Sequence, residues 1–232
     1  MKTTYRILSL FCLFILSACA AATTAIPTAA PASPTAAPVS TSAASQPAAA
    51  AQPAGAKVFT IVPGESSVTY EVAETFLNQN NKFNLAVGVT NTIQGEISAD
   101  PANPASASIG KISVDISQFK SDSSRRDNAI RGQWLESSRF PTATFEPTHI
   151  EGLPQRYVEG QEYPLKVTGN LTIRDSTHEV TFDVVTSLKD GTLTGTASTS
   201  LQMSTFGVGP ISIAGILNTE DQVKLTFKFV AR

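Results

Sequence analysis

The amino-acid sequence predicts an all-β domain, a closed antiparallel barrel or a two-sheet sandwich, carried behind an export signal and a structureless tether. Three observations carry that expectation. Apolar residues alternate at period two through most of the chain, turn chemistry separates the alternating runs, and an uncharged Ala/Pro/Thr/Ser-rich stretch precedes them.

The chain starts with Lys2 and Arg6, followed by an apolar run over residues 7–16. That run is too short to cross a bilayer as a helix, which takes about 20 residues. It has the shape of a secretory signal. It ends in Leu16-Ser17-Ala18-Cys19. An aliphatic residue, two small residues and a cysteine resemble the bacterial lipoprotein box, whose cysteine receives lipid after cleavage. The expectation is a signal peptide over residues 1–18 and a lipidated Cys19. The protein is then extracytoplasmic, held to a bacterial membrane on a periplasmic or cell-surface face. A lone acyl chain binds only marginally, whereas stacked chains anchor stably. Cys12 and Cys19 are the only cysteines, so the folded part has neither disulfides nor thiolate metal sites.

Residues 19–56 form the expected tether. Beyond the cysteine they are uncharged, with prolines at 27, 31, 34, 38, 47 and 53. Such a composition buries too little side chain to offset ordering entropy. Fully extended, the segment reaches about 110 Å, at about 3.1 Å per residue.

Residues 57–232 are long enough for one domain with its own core. Two of the 17 basic residues lie in the signal and all 19 acidic residues lie in the domain. The domain is therefore net acidic, which argues against a nucleic-acid surface or a broadly basic membrane patch.

The alternating runs follow in order. Val68, Tyr70 and Val72 share one parity; Val87, Val89, Ile93 and Ile97 share another. Then come Ile112, Val114 and Ile116, and, after Pro141, a further extended stretch. Residues 165–173, 180–184, 193–203 and 223–229 repeat the pattern. Each run has one apolar and one wettable face. Asp100-Pro101-Ala102-Asn103-Pro104, Lys189-Asp190-Gly191 and residues 174–179 are the turns between them. About eight strands result, enough for a barrel that encloses one small ligand. Residues 74–83 break the alternation.

Residues 125–145 also break it. Arg125, Arg126, Asp127, Arg131, Glu136 and Arg139 cluster around Trp134, the one tryptophan. Ser121 or Asp122 is positioned to cap a short helix with Ile130 and Trp134 on one face. Pro141 ends it and forces Phe140 into extended geometry.

Arg126-Asp127, Trp134-Leu135 and Phe140-Pro141-Thr142-Ala143-Thr144-Phe145 resemble the central motif of the YceI-like family. Residues 167–174, and Phe206-Gly207-Val208 followed by residues 221–225, are similar to its later segments. The resemblance spans residues 58 to 230. It implies an eight-stranded, lipocalin-like antiparallel barrel with one or two short helical segments. It also implies an apolar interior that holds a polyisoprenoid or quinone-like lipid. One departure is Asp175, where the family commonly has glycine; aspartate tolerates left-handed backbone.

On that reading the candidate lipid-binding residues are Phe76, Phe83, Trp134, Phe140, Phe145, Leu171, Phe182, Met203, Phe206 and Phe227. Arg126 and Arg131 are the candidate head-group ligands, since guanidinium binds phosphate and carboxylate in bidentate fashion. An alternative role for Arg126 is a structural ion pair with Asp127. Gly169, Gly195, Ala197 and Thr199 face inward and are small; they leave volume for a ligand or fit the taper of a packed barrel. His149 and His178 lie apart from any carboxylate pair, and no nucleophile elbow or triad is visible. The reading is a binding protein, not an enzyme, with no cofactor or metal. The partners are a membrane, through Cys19, and a lipid, and a homodimer is open. The rival is an interaction module whose barrel is filled by its own side chains.

Overall fold

The structure, a computed structural model, describes residues 55–232. The expected signal, Cys19 and almost all of the tether lie outside the described residues. The described chain forms β1 (Lys57–Thr60), β2 (Ser67–Phe76), β3 (Lys82–Thr90), β4 (Ile93–Gln94), β5 (Glu96–Ala99), β6 (Ser108–Ile109) and β7 (Ile112–Asp115). Helix α1 (Ser124–Ala129) follows, then β8 (Thr142–Glu151), β9 (Glu162–Ile173), β10 (Ser176–Lys189), β11 (Thr192–Gln202), β12 (Ser212–Ile213) and β13 (Leu217–Ala231).

The large sheet runs β3-β2-β13-β11-β10-β9-β8-β7-β4, antiparallel throughout. Its two ends are consecutive pieces of one chain, since only Asn91 and Thr92 separate β3 from β4. There the chain changes partner from β2 to β7. Val89 and Lys120 exchange backbone hydrogen bonds of 2.8 and 2.9 Å beside the junction, and Asp115 N–H donates to the Thr92 carbonyl at 2.9 Å. Counted with β3 and β4 as one stave, the curled sheet has eight. That continuity decides for a barrel over a sandwich.

The partner switch also reverses phase. Phe83, Leu85 and Val87 are 66%, 49% and 37% exposed, whereas Ile93 is fully buried. The alternation through residues 87–97 therefore does not mark a single face, because a one-residue change of phase turns every later side chain over. Residues 74–83 do not break the sheet. They complete a hairpin, with β2 and β3 paired out to Phe76 and Lys82 around a 3-10 turn at Leu77–Gln79 and left-handed Asn80 and Asn81.

The charged stretch supplies the helix. Its cap is Ser123, whose Oγ accepts Arg126 N–H at 3.3 Å, and not Ser121 or Asp122. The helix widens into a π turn at Ile130–Trp134, with Leu135 N–H donating to the Ile130 carbonyl at 2.8 Å.

The interior divides into two buried clusters. One, around Phe59, Ile61, Ile93 and Phe229, lies under the small sheet β1-β5-β6. The other, around Tyr70, Phe119, Leu171, Met203 and Phe206, includes Ile130 and Leu135 from the helical segment. Two glycines set how closely the walls approach. A Cβ on Gly195 would sit 2.5 Å from the Phe229 ring, and one on Gly169 would sit 2.8 Å from the Phe145 ring and 2.5 Å from the Glu146 carbonyl oxygen. Both positions are thus filled by the protein's own rings and backbone, and neither leaves volume for a ligand.

Candidate functional site

A cavity of about 330 Å³ runs through the barrel interior between the two ends. Ile130, Trp134 and Leu135 line it beside α1; Leu171, Phe182 and Phe227 line its middle; Pro101, Pro104, Leu153 and Tyr157 line it beneath loops at the far end. Its wall is almost wholly carbon. Alternation explains the middle: Val68, Tyr70 and Val72 on β2, Leu165, Val167 and Leu171 on β9, and Leu193, Ala197 and Leu201 on β11 each keep one parity toward a common axis, while the bulge at Pro147–His149 shifts it on β8 from Phe145 to Ile150.

Of the ten aromatic and aliphatic residues expected to meet lipid, Trp134, Phe145, Leu171, Phe182, Met203 and Phe227 line the cavity, and Phe76, Phe83, Phe140 and Phe206 do not. Phe83 faces solvent on β3 because of the phase reversal. Phe76 pairs with Leu217 at the end of the hairpin, away from the lining. Phe140 is a platform for cations: the Arg139 guanidinium carbon is 4.7 Å from its ring centroid and that of Arg174 is 5.9 Å. Phe206 is 2% exposed and belongs to the interior cluster around Met203, but it packs edge-to-face on His178, 5.1 Å between centroids, and does not reach the cavity. Ala197 lines the cavity; Thr199 does not.

Neither candidate head-group arginine lines the cavity. Arg126 Nη2 is 2.6 Å from Glu74 Oε1, and Nη1 pairs with Asp122 and donates to Ser121 Oγ at 3.2 Å. Burial alone would lower the Arg126 pKa, but hydrogen bonds and charge from Glu74 and Asp122 outweigh it and hold it above its ordinary value. Asp127 is not the ion partner of Arg126: its Oδ1 accepts Ser121 N–H at 2.9 Å and Ser121 Oγ–H at 2.6 Å. Arg131 donates to the Phe119 carbonyl at 3.1 Å and to Asn128 Oδ1 at 2.9 Å.

Sequence reasoning passed over Arg174, which fastens this end. Its Nη1 donates to the Trp134 and Gly207 carbonyls at 3.2 and 3.1 Å, and its Nη2 meets Glu136 Oε1 at 2.5 Å. The left-handed turn residue is Arg174 itself, at φ 58°, and not Asp175. That geometry aims the guanidinium back over the barrel end, a consequence no linear pattern announces. Asp221 sits at a bulge of β13 and accepts Ser204 N–H at 2.8 Å and Ser204 Oγ–H.

Other lining residues follow from the alternation alone. Tyr70 and Val72 share the parity of an alternating run and line the cavity. The loop residues Pro101, Pro104, Leu153 and Pro154 carry no periodic signal. Among the described residues no group of three or more His, Cys, Asp or Glu side chains could hold a metal ion.

The YceI-like domain model matches residues 59–231. This chain belongs to the YceI-like family. Within the family, a UPF0312 protein of Vibrio cholerae is 28% identical over 144 residues, covering 59% of this chain and 72% of its own. Protein YceI of Salmonella newport is 26% identical over 126 residues, covering 53% and 61%. Two solved structures share the fold. Burkholderia cenocepacia BcnA aligns with a TM-score of 0.57 at 23% identity, over 74% of this chain and 99% of that one. A polyisoprenoid binding domain from Saccharophagus degradans, implicated in plant cell wall breakdown, aligns with a TM-score of 0.56 at 10% identity, over 75% and 97%.

Proposed function

We propose that this YceI-like protein is a membrane-tethered, extracytoplasmic lipid carrier that holds a polyisoprenoid or similar long apolar molecule in its barrel. The observation that carries the reading is the carbon-walled cavity of about 330 Å³. A barrel filled by its own side chains would not leave one. The volume falls at the low end of small-molecule sites, about 300–1,000 Å³, and so suits several isoprene units of a longer chain. Each buried CH₂-sized unit contributes about 0.8 kcal/mol, before ordering costs are subtracted. The polyisoprenoid-binding domain of Saccharophagus degradans, on the same fold, supports the ligand class. The mechanism is reversible burial without covalent chemistry.

The lipoprotein-box resemblance at Cys19 supports the tether and its extracytoplasmic side. For self-association we propose the free edge of β3. Of the described strands only β2 pairs with β3, and Phe83 and Leu85 lie exposed along it.

The test is organic extraction of the purified protein followed by mass spectrometry. A stoichiometric isoprenoid is the expected result. An empty extract, together with no uptake of added polyprenol or quinone, refutes the carrier. Cys19→Ser is expected to release the protein from membranes, and persistent membrane association of that variant refutes the anchor.

A further inference from the structure

The cavity wall offers a ligand carbon, a few hydroxyls and no cation. Its single charged lining residue is a carboxylate, Asp100, 9% exposed, whose Oδ1 already accepts Ala102 N–H at 2.9 Å. None of the arginines at the α1 end lines the cavity: Arg126 is held by Glu74, Asp122 and Ser121, Arg131 by Phe119 and Asn128, and Arg174 by two carbonyls and Glu136 through its Nη atoms, with its buried Nε left unpartnered behind the wall. A phosphate drawn inside would surrender its hydration with no counter-charge to replace it, and would meet the Asp100 carboxylate.

One neutral hydroxyl on the wall belongs to a buried residue. Tyr70 lines the cavity and is only 8% exposed, and its hydroxyl, which is not among the fully enclosed unpartnered atoms, makes no side-chain hydrogen bond among the described residues. The ring is held in place on two sides. It packs edge-to-face on Phe119, 5.2 Å between centroids, and lies so close over Gly88 that a Cβ there would fall 2.3 Å from Cε1. Burial pushes the hydroxyl pKa up to about 12, so at neutral pH it is a fixed, neutral donor. A donor that borders an apolar cavity without a protein acceptor favours a ligand that brings one. An uncharged oxygen on a lipid is the acceptor that such a wall lacks.

We propose that the cavity selects an uncharged isoprenoid with an oxygen-bearing end, a prenol or quinone, that Tyr70 donates to that oxygen, and that prenyl phosphates are rejected. This rests on the lipid-binding reading above and names its ligand class. Selection then comes from a lining without cations and not from a basic mouth.

The experiment uses the full chain in detergent micelles, loaded with tritiated geranylgeraniol and competed with three unlabelled probes. These are geranylgeraniol, geranylgeranyl monophosphate and phytane, the isoprenoid hydrocarbon of equal carbon count. Geranylgeraniol is expected to compete best, with the monophosphate at least about tenfold weaker, the least that burying an unpaired charge implies. In Tyr70→Phe, which keeps the ring and its packing, affinity for geranylgeraniol is expected to fall about fivefold, the loss of one ordinary hydrogen bond. The preference for geranylgeraniol over phytane should shrink in step, a change that a purely structural role for Tyr70 would not produce. Equal or stronger competition by the monophosphate overturns the neutral-ligand assignment. An unchanged preference over phytane in Tyr70→Phe overturns the role of Tyr70. Failure of every probe to bind is a separate result and removes the lipid-binding reading itself.

Discussion

Replacing Arg126 with methionine, which keeps the length of the side chain and removes its charge, is expected to destabilise the domain without emptying the cavity. The Arg126 and Glu74 side chains are only 15% and 4% exposed, with Nη2 2.6 Å from Oε1. The second partner, Asp122, has a side chain 79% exposed, and exposed pairs contribute only about 0–1 kcal/mol. The loss therefore falls on Glu74. Removing one member of a buried pair costs about 3–5 kcal/mol, because it strands the other charge. Asn84 Nδ2 still donates to Glu74 Oε1 at 2.7 Å. That remaining bond places the expectation near the lower end, about 3 kcal/mol. For a domain of this size the corresponding fall in Tm is about 6–12 °C. Urea unfolding and calorimetry of Arg126→Met read the loss directly. The double variant Glu74→Gln/Arg126→Met should recover much of it, since no charge is left unpaired. Solvent extraction in parallel should find as much lipid per folded molecule as in the parent protein. A Tm within about 2 °C of the parent, combined with lost lipid, would refute the reasoning and return Arg126 to the ligand.

Two further predictions rest on neighbouring geometry. Gly169→Ala is expected to cost about 1–3 kcal/mol, because its Cβ would lie 2.5 Å from the Glu146 carbonyl oxygen and 2.7 Å from Pro147 Cα, backbone atoms that cannot swing aside. Gly132→Ala, where a Cβ meets nothing within 4 Å, should be neutral or slightly stabilising, and thermal melts of the pair test the contrast. Tyr70 sets an alkaline limb on stability. Burial raises its folded-state pKa from 10 to about 12, so its contribution is complete below about pH 10 and is lost as pH rises through 12. A displacement of that size corresponds to about 2–3 kcal/mol. Urea midpoints from pH 9 to 12 should therefore fall, less steeply in Tyr70→Phe.

Much of the barrel is legible in the sequence. Where a strand keeps the same neighbour on each side along its length, as β9 and β11 do, one parity faces the axis, and Leu171 and Ala197 line the cavity as the alternation implies. The reading failed where the chain changes partner. Phe83 and Val87 look like wall residues in the sequence, yet the switch at Asn91 and Thr92 leaves them on the outer face. The small inward glycines misled for a related reason. Local size says that space exists at Gly169 and Gly195 but not which neighbour fills it, and the rings of Phe145 and Phe229 do.

Charge was the least legible. The cluster at residues 125–139 announces itself by composition, and proximity along the chain pairs Arg126 with Asp127. The fold instead sends Arg126 to Glu74, fifty-two residues away on β2, and Arg174 to Trp134 and Gly207 on two other segments.

Period-two patterning and turn chemistry are properties of adjacent residues. The linear chain therefore established the strands, their order of parity and an all-β architecture. Which staves close the sheet, which rings fill the glycine gaps, and which carboxylate neutralises which guanidinium depend on residues brought together from distant positions. Burial and desolvation act only once those neighbours meet, and so the cavity, with its carbon wall and the Tyr70 hydroxyl on it, is a product of the folded barrel alone.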